Sequence, residues 1–404
     1  MSFSKDLKGF VFIGAIVLVL SVTIVLLYRN LKTDPVADNL KKDETVKVLF
    51  VLNDGEGNAL ATEVFICYPK TKRATVFDVT GNTGAIYKSL GRTDRIDAIY
   101  KEKKIEVYRS EIETFLDLTI PFTIEITLDD FGLLTDLMGG LDVFVPSPVD
   151  IVAPDGSRWM LPSGAISLDG DKVQTYINYM LPEESDDDQE SRRRATFVSF
   201  LVAFNANRSI FLDKKNFPVF SSKMKTNIEP EDFYKLLEII SDVQTDTITT
   251  QPVVGSPRIV EGKTLLFPYM DGQLMKDIVK QRVRMLVSTN SGENRTYNVE
   301  ILNGTLKQGL AQRASTSFNS AGYKVVKVGN ADRSDYDHTV IINHIGNEES
   351  ASALGEFITC YNIINEELVE NNDDVSDVDF SIILGKDWDG RYVRGGFGKD
   401  DLGK

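Results

Sequence analysis

The sequence predicts an α/β protein built from one N-terminal transmembrane helix, a layered α/β/α domain with a mixed sheet, and a small C-terminal α/β domain. Three observations predict it. An uncharged apolar run opens the chain. Short β-branched strand patterns then alternate with helical ones. A polar stretch near residue 290, STNSGENR, divides that alternation in two.

Residues 10–28 read FVFIGAIVLVLSVTIVLLY, apolar on every side and without a charge. As a helix this run would be roughly 28 Å long, close to the hydrocarbon thickness of a bilayer. A core helix of a soluble domain would be amphipathic. A cleaved signal peptide has a shorter apolar region and a small-residue cleavage pattern, whereas here Tyr28, Arg29, Asn30, Leu31 and Lys32 follow. We therefore expect a cytoplasmic segment 1–9 and a retained anchor over 10–28. The flanking charges leave its direction open. Lys5 and Lys8 precede it and Arg29, Lys32, Lys41 and Lys42 follow, and the positive-inside rule weakens ahead of a long domain.

The rest of the 404-residue chain suffices for two or three domains of ordinary size. Its 42% hydrophobic and 26% charged content are globular values. A net charge of −15 argues against a general nucleic-acid binder or broad docking on anionic lipid, since both need a positive surface. Cys67 and Cys360 are far apart and read as two free thiols. His338 and His344 alone build no zinc site of ordinary spacing.

Residues 29–44 are polar, carry Pro35 and read as a tether. Strand patterns follow at 46–52, 62–67 and 73–79, then a helix at 111–118 with Ile112, Phe115 and Leu116 on one face. A strand at 121–127 leads into a helix at 129–138 that Gly139 and Gly140 stop, and 141–145 is again a strand. Helices are expected at 171–180, 192–204 and 230–242, the last with an acidic first turn. The acidic run 183–188 reads as a solvated loop. Beyond the polar stretch come a strand (297–302), a turn at Asn303-Gly304, a helix (305–320), strands at 323–328 and 339–343, a helix (352–361) and a last strand (378–384). The domains are thus 45–290 and 297–388, with a glycine-rich, charged tail over 389–404 expected to be disordered.

Generic catalytic motifs are absent. Gly55-Glu56-Gly57 opens like a dinucleotide fingerprint, but position 60 is Leu and no phosphate-cradling helix is expected after it. The two histidines adjoin no nucleophile elbow.

A series of segments does stand out in order: YPKTKR at 68–73, RIDAIY at 95–100, FGLLTDLMGGLDV at 131–143, LDGD at 168–171 with Tyr176 downstream, and Arg192-Arg193-Arg194. Their order and spacing over about 45–290 resemble the LytR-CpsA-Psr family. VEILNGTLKQGLA, AGYKVVKVGNA and VDFSIILGKDW, over 297–388, resemble the domain often appended to it. The resemblance implies a protein of cell-envelope biogenesis, anchored in the cytoplasmic membrane with its bulk outside. It further implies transfer of a glycopolymer from a polyprenyl-pyrophosphate carrier to peptidoglycan. Such a site needs arginine forks on the pyrophosphate, an acid holding Mg²⁺ and an apolar groove for the isoprenoid.

The chain departs from the family where charge is needed. Residues 58–63, NALATE, replace an Arg-Ser-Asp-type segment, and Thr80-Gly81-Asn82 replaces Pro-Arg-Asp. Two arginines near Tyr176 become Asn178 and Met180. By resemblance, the surviving catalytic candidates are Arg193, Arg95 and Asp54, with Asp54 also the metal ligand for a Mg²⁺ that matters only if the phosphate site works. Arg192, Arg194 and Asp97 are the further ligand-binding candidates. Arg95 and Asp97 could equally form a surface pair, and three successive arginines cannot share one helical face, so one should meet solvent. The retained frame with altered charges favours a binding protein of the envelope, holding a polyprenyl-linked glycan with lost or weakened transfer. The alternative is a working phosphotransferase.

Overall fold

The computed structural model describes residues 34–152, 156, 158–179, 184–288, 296–366 and 378–394, with 17, 18 and 21. The expected anchor at 10–28 therefore lies almost wholly outside the described residues, as do 289–295 and 395–404. Among the described residues no helix is long and apolar enough to cross a membrane.

Residues 29–44 are not all tether. Asp34 accepts the Ala37 amide at 2.9 Å and Pro35 sits in the first turn, so α1 forms over Pro35–Lys42. It docks through buried Val36 and a 2.5 Å contact from Lys235 to Asp34. The chain continues through β1 (Val46–Asn53), β2 (Ala59–Tyr68), β3 (Arg73–Asp78), α2 (Ile105–Leu116), β4 (Phe122–Thr127), α3 (Leu128–Leu137), α4 (Gly170–Asn178), α5 (Asp186–Ala206), β5 (Lys225–Thr226), α6 (Pro230–Ser241), β6 (Thr249–Pro252) and α7 (Gln273–Val287). The strands form one mixed sheet in the order β5-β4-β1-β2-β3-β6. β2 runs antiparallel to β1 and β3, whereas β4 is parallel to β1 and β6 to β3.

Alternation along the strands separates two cores. Leu49, Val51, Val64, Ile66 and Phe77 meet α2 and α7 on one face. Val48, Phe50, Phe65, Val76 and Ile124 meet α3, α4, α5 and α6 on the other. Apolar residues on both faces of β1 are what a strand covered on both sides requires. This is the expected α/β/α arrangement.

The C-terminal module contains β7 (Asn298–Asn303), α8 (Leu310–Ser320), β8 (Lys324–Asn330), β9 (Val340–Asn343), α9 (Glu348–Ile358), β10 (Ile363–Asn365) and β11 (Phe380–Leu384). Its mixed sheet has the order β8-β7-β11-β9-β10. The tail expected to be disordered from 389 is folded as far as 394: Val393 is buried, bridges Trp388, and Arg391 reaches Asp277 at 2.5 Å. Both cysteines are free and buried.

Candidate functional site

The site forms where β2 and β3 pass beneath the first turns of α5. Antiparallel register sets Glu63 directly opposite Asp78, and both side chains are 2% exposed. By strand alternation they point to the face that carries α5. A lone acid within an apolar strand run, TEVFICY or TVFDV, is the signal that could have singled them out, because unpaired acids are rarely buried.

The helix itself arises from the acidic run expected to be a solvated loop. Ser185 caps it, its hydroxyl accepting the Asp188 amide while the Asp188 carboxylate accepts the Ser185 amide. An acidic first turn also suits the positive end of a helix dipole. Glu184 is drawn inward to Arg192, so the run is only partly solvated.

The three arginines step around α5 at about 100° each, and each finds a partner. Arg192 is buried. It pairs with Glu184, donates to the Tyr179 carbonyl and lies 3.8 Å from the centre of the Tyr179 ring. Arg193 donates to the Leu60 carbonyl at 2.8 Å and contacts Glu190 at 3.3 Å. Arg194 donates to Asp78 at 2.6 Å and to Ser191 at 3.0 Å. The side chains of Arg193 and Arg194 are 12% and 17% exposed, so the expectation that one arginine meets solvent does not hold. α5 is enclosed by the sheet below and the end of α4 beside it.

Arg95 and Asp97 form the alternative pair, with Arg95 Nε 3.0 Å from Asp97 Oδ1. They nevertheless belong to the same neighbourhood. Both perturb Glu190 electrostatically, and a Cβ placed on Gly81 would lie 2.7 Å from Asp97 Oδ2. Arg95 thus brings a guanidinium next to Gly81, the position where the resemblance expects an arginine. Asp54 stands apart: its carboxylate accepts the Glu56 and Asn58 amides at 2.8 and 2.9 Å within its own loop.

The structure therefore gathers Arg95, Asp97, Arg193 and Arg194 around Glu63, Asp78 and Glu190, and leaves Arg192 and Asp54 outside. Burial, then the Asp78 charge, pushes the Glu63 carboxyl well above its ordinary range, and both of its oxygens are buried with no hydrogen-bond partner among the described residues. Burial raises Asp78 to about 6 against the opposing pull of Arg194. Burial likewise raises Glu190 to about 7, against Arg193. Tyr108 Oη and Thr62 Oγ1, 2.8 Å apart, lie beside the cluster.

These residues do not fit a Mg²⁺ centre. Asp54 faces its own loop, Asp78 is tied to Arg194, and Asn82 offers a neutral amide oxygen. No three His, Cys, Asp or Glu side chains among the described residues are grouped to hold a metal ion. The crevice between sheet and α5, walled by Phe50, Phe131, Phe197, Glu63 and Arg193, has a volume of only about 20 Å³. That is room for about one water, far below the ~300–1,000 Å³ of ligand sites.

The model of the LytR-CpsA-Psr family matches residues 61–282, and the model described as LytR cell envelope-related transcriptional attenuator matches 296–388. Among curated relatives, the polyisoprenyl-teichoic acid–peptidoglycan teichoic acid transferase TagU of Bacillus licheniformis is 21% identical over 212 residues, 52% of this chain and 68% of its own. The TagU of Bacillus cereus is 20% identical over 221 residues, 54% of this chain and 71% of its own. Among solved structures, a Streptococcus agalactiae protein superposes with a TM-score of 0.53 at 18% identity, over 62% of this chain and 92% of its own. TagV of B. subtilis superposes with a TM-score of 0.50 at 18% identity, over 60% of this chain and 98% of its own.

Proposed function

The chain belongs to the LytR-CpsA-Psr family, and we propose that it serves the cell envelope as a membrane-anchored binding protein whose phosphotransfer is lost or weakened. Residues 10–28 would tether it to the cytoplasmic membrane with both domains outside. Its ligand would be a polyprenyl-linked glycan, and peptidoglycan its neighbour.

One observation carries this reading. The guanidinium groups that would clamp a pyrophosphate are already engaged: Arg194 by Asp78, Arg193 by Glu190 and Arg95 by Asp97. An entering phosphate must displace carboxylates that belong to the fold. Removing one charge-stabilising group commonly lowers rate by ~10²–10³, and Gly81 and Asn82 remove two more charges from the expected set. The narrow crevice supports the same reading, because an isoprenoid would have to part α5 from the sheet.

A second reading, a working phosphotransferase, draws on the activity named for the TagU relatives. In it Glu190, raised to about 7, would take the proton of the acceptor hydroxyl as that oxygen bonds to phosphorus and the polyprenyl phosphate departs, and its neutralisation would free Arg193 for the leaving phosphate.

Binding of a polyprenyl pyrophosphate to the full chain in detergent, with and without Mg²⁺ and in Arg193→Ala, separates the outcomes. Binding lost in the variant without transferred product supports the binding protein. Arginine-dependent product supports the enzyme. Absence of binding under every condition overturns both as stated.

A further inference from the structure

A cavity of about 890 Å³ lies between α7 of the first domain and α9 of the C-terminal module. Asp277, Gln281 and Arg284 recur at helical spacing along α7, and Ser352, Glu356 and Thr359 come from α9 and the residue that ends it. An Arg284–Glu356 ion pair spans the two sides. Arg391 and Tyr392 both turn back onto Asp277. Both domains are needed to build the space.

Its chemistry is specific. Gln281, 6% exposed, donates from Nε2 to Tyr323 Oη at 2.5 Å, while its Oε1 is buried without a partner among the described residues. A buried amide oxygen left unanswered is unfavourable and calls for an N–H or O–H donor. Tyr297 and Ser350 share a 2.6 Å hydrogen bond nearby. The rings of Tyr323 and Phe357 lie 6.1 Å apart, tilted by 42°, and Tyr392 adds a third aromatic wall. Arg284 is paired with Glu356 and Arg391 with Asp277, and among the described lining residues Lys280 stands outside these pairs, so no arginine fork faces the cavity to clamp a polyanion. Its volume lies in the upper part of the range for ligand sites of ~300–1,000 Å³.

We propose that this cavity binds an uncharged saccharide segment. Sugar rings present flat C–H faces to aromatic walls, and hydroxyl or acetamido donors can answer an amide oxygen and serine hydroxyls at their edges. With its arginines already paired, the cavity offers no fork to the phosphate-bearing part of a polymer and suits a neutral glycan. The cavity stands independently of the phosphate site; the choice of saccharide over another neutral polar ligand rests on the envelope role proposed above.

Isothermal titration of the full chain with short N-acetylglucosamine oligosaccharides tests it. We expect a Kd below ~1 mM. Ser352→Trp, on an exposed position of α9, should fill the cavity and weaken binding at least tenfold with the thermal midpoint unchanged. Gln281→Leu, which removes the unanswered oxygen, should weaken it while leaving the module folded. Polyprenyl pyrophosphate binding by the same wild-type chain is the control: no saccharide binding with polyprenyl pyrophosphate binding intact overturns this proposal alone. Absent heat in the wild type, undiminished binding in Ser352→Trp, or preference for a short peptide would each overturn it.

Discussion

Glu63 and Asp78 face each other across adjacent antiparallel strands, both buried, and a guanidinium reaches only Asp78. Two carboxyls so placed cannot both ionise without a large electrostatic penalty. Burial, and then the Asp78 charge, keeps the Glu63 proton in place far above its ordinary range, while burial holds that of Asp78 to about 6.

This relationship fixes how stability responds to pH. Asp78 and Glu190 bind their protons more tightly when folded, at about 6 and about 7, than at their ordinary values of 3.8 and 4.5. The stability so contributed is fully present below the unfolded values and is lost as pH rises through the folded ones. Over that window the wild-type thermal midpoint should fall, other acids being equal, and Glu63→Gln should fall less because the carboxyl whose ionisation burial suppresses is then gone. Calorimetry at about pH 5 and about pH 8 reads both slopes. Identical slopes would mean that Glu63 ionises in the folded chain as it does in the unfolded one.

Arg194→Met leaves Asp78 buried without a counter-charge. Breaking a buried pair this way should destabilise the fold by about 3–5 kcal/mol. Adding Asp78→Asn should restore most of it, and urea unfolding of the single and double variants reports the difference.

Anion binding should strengthen as pH falls, because a protonated Glu190 no longer competes for Arg193. Sulfate is the suitable probe, since its own charge is constant here. We expect affinity to rise about tenfold, or about 1.4 kcal/mol, from pH ~8 to ~6. Glu190→Gln should bind equally at both. A pH dependence that survives in Glu190→Gln would assign the proton to another group.

Restoring the charges that the resemblance expects is a further test. An arginine at 81 would project against Asp97, whose Oδ2 lies 2.7 Å from a Cβ at Gly81, and would take that acid from Arg95. Gly81→Arg with Asn82→Asp should therefore raise polyprenyl pyrophosphate affinity at least about tenfold. Unchanged affinity would show that the family's phosphate position does not coincide with this cluster.

The frame was legible because its signals are local. Val, Ile and Phe mark β1, β2 and β3, paired glycines end the segment of α3, and the three helices that follow are visible in outline. α7 was missed although Leu274, Met275, Ile278, Val279 and Leu286 give it a buried apolar face at helical spacing. Residues 84–95 form a hairpin whose pairing no single residue announces. The arginines were legible as candidates, but their engagement was not. Glu190 lay next to a run read as solvated, and only strand register brings Glu63 to Asp78.

Through α7 the apolar interior of the first domain runs on without interruption into Val299, Ile301, Phe318 and Trp388. Where two family patterns meet along the chain, the folded molecule keeps one continuous apolar core beside the cavity that α7 and α9 wall. Inherited modules need not be separate melting units. A chain cut at residue 288 would bare the side of α7 that the second module covers, and full-length protein should unfold in one cooperative transition rather than two. The second module is in this sense a wall of the first domain's interior.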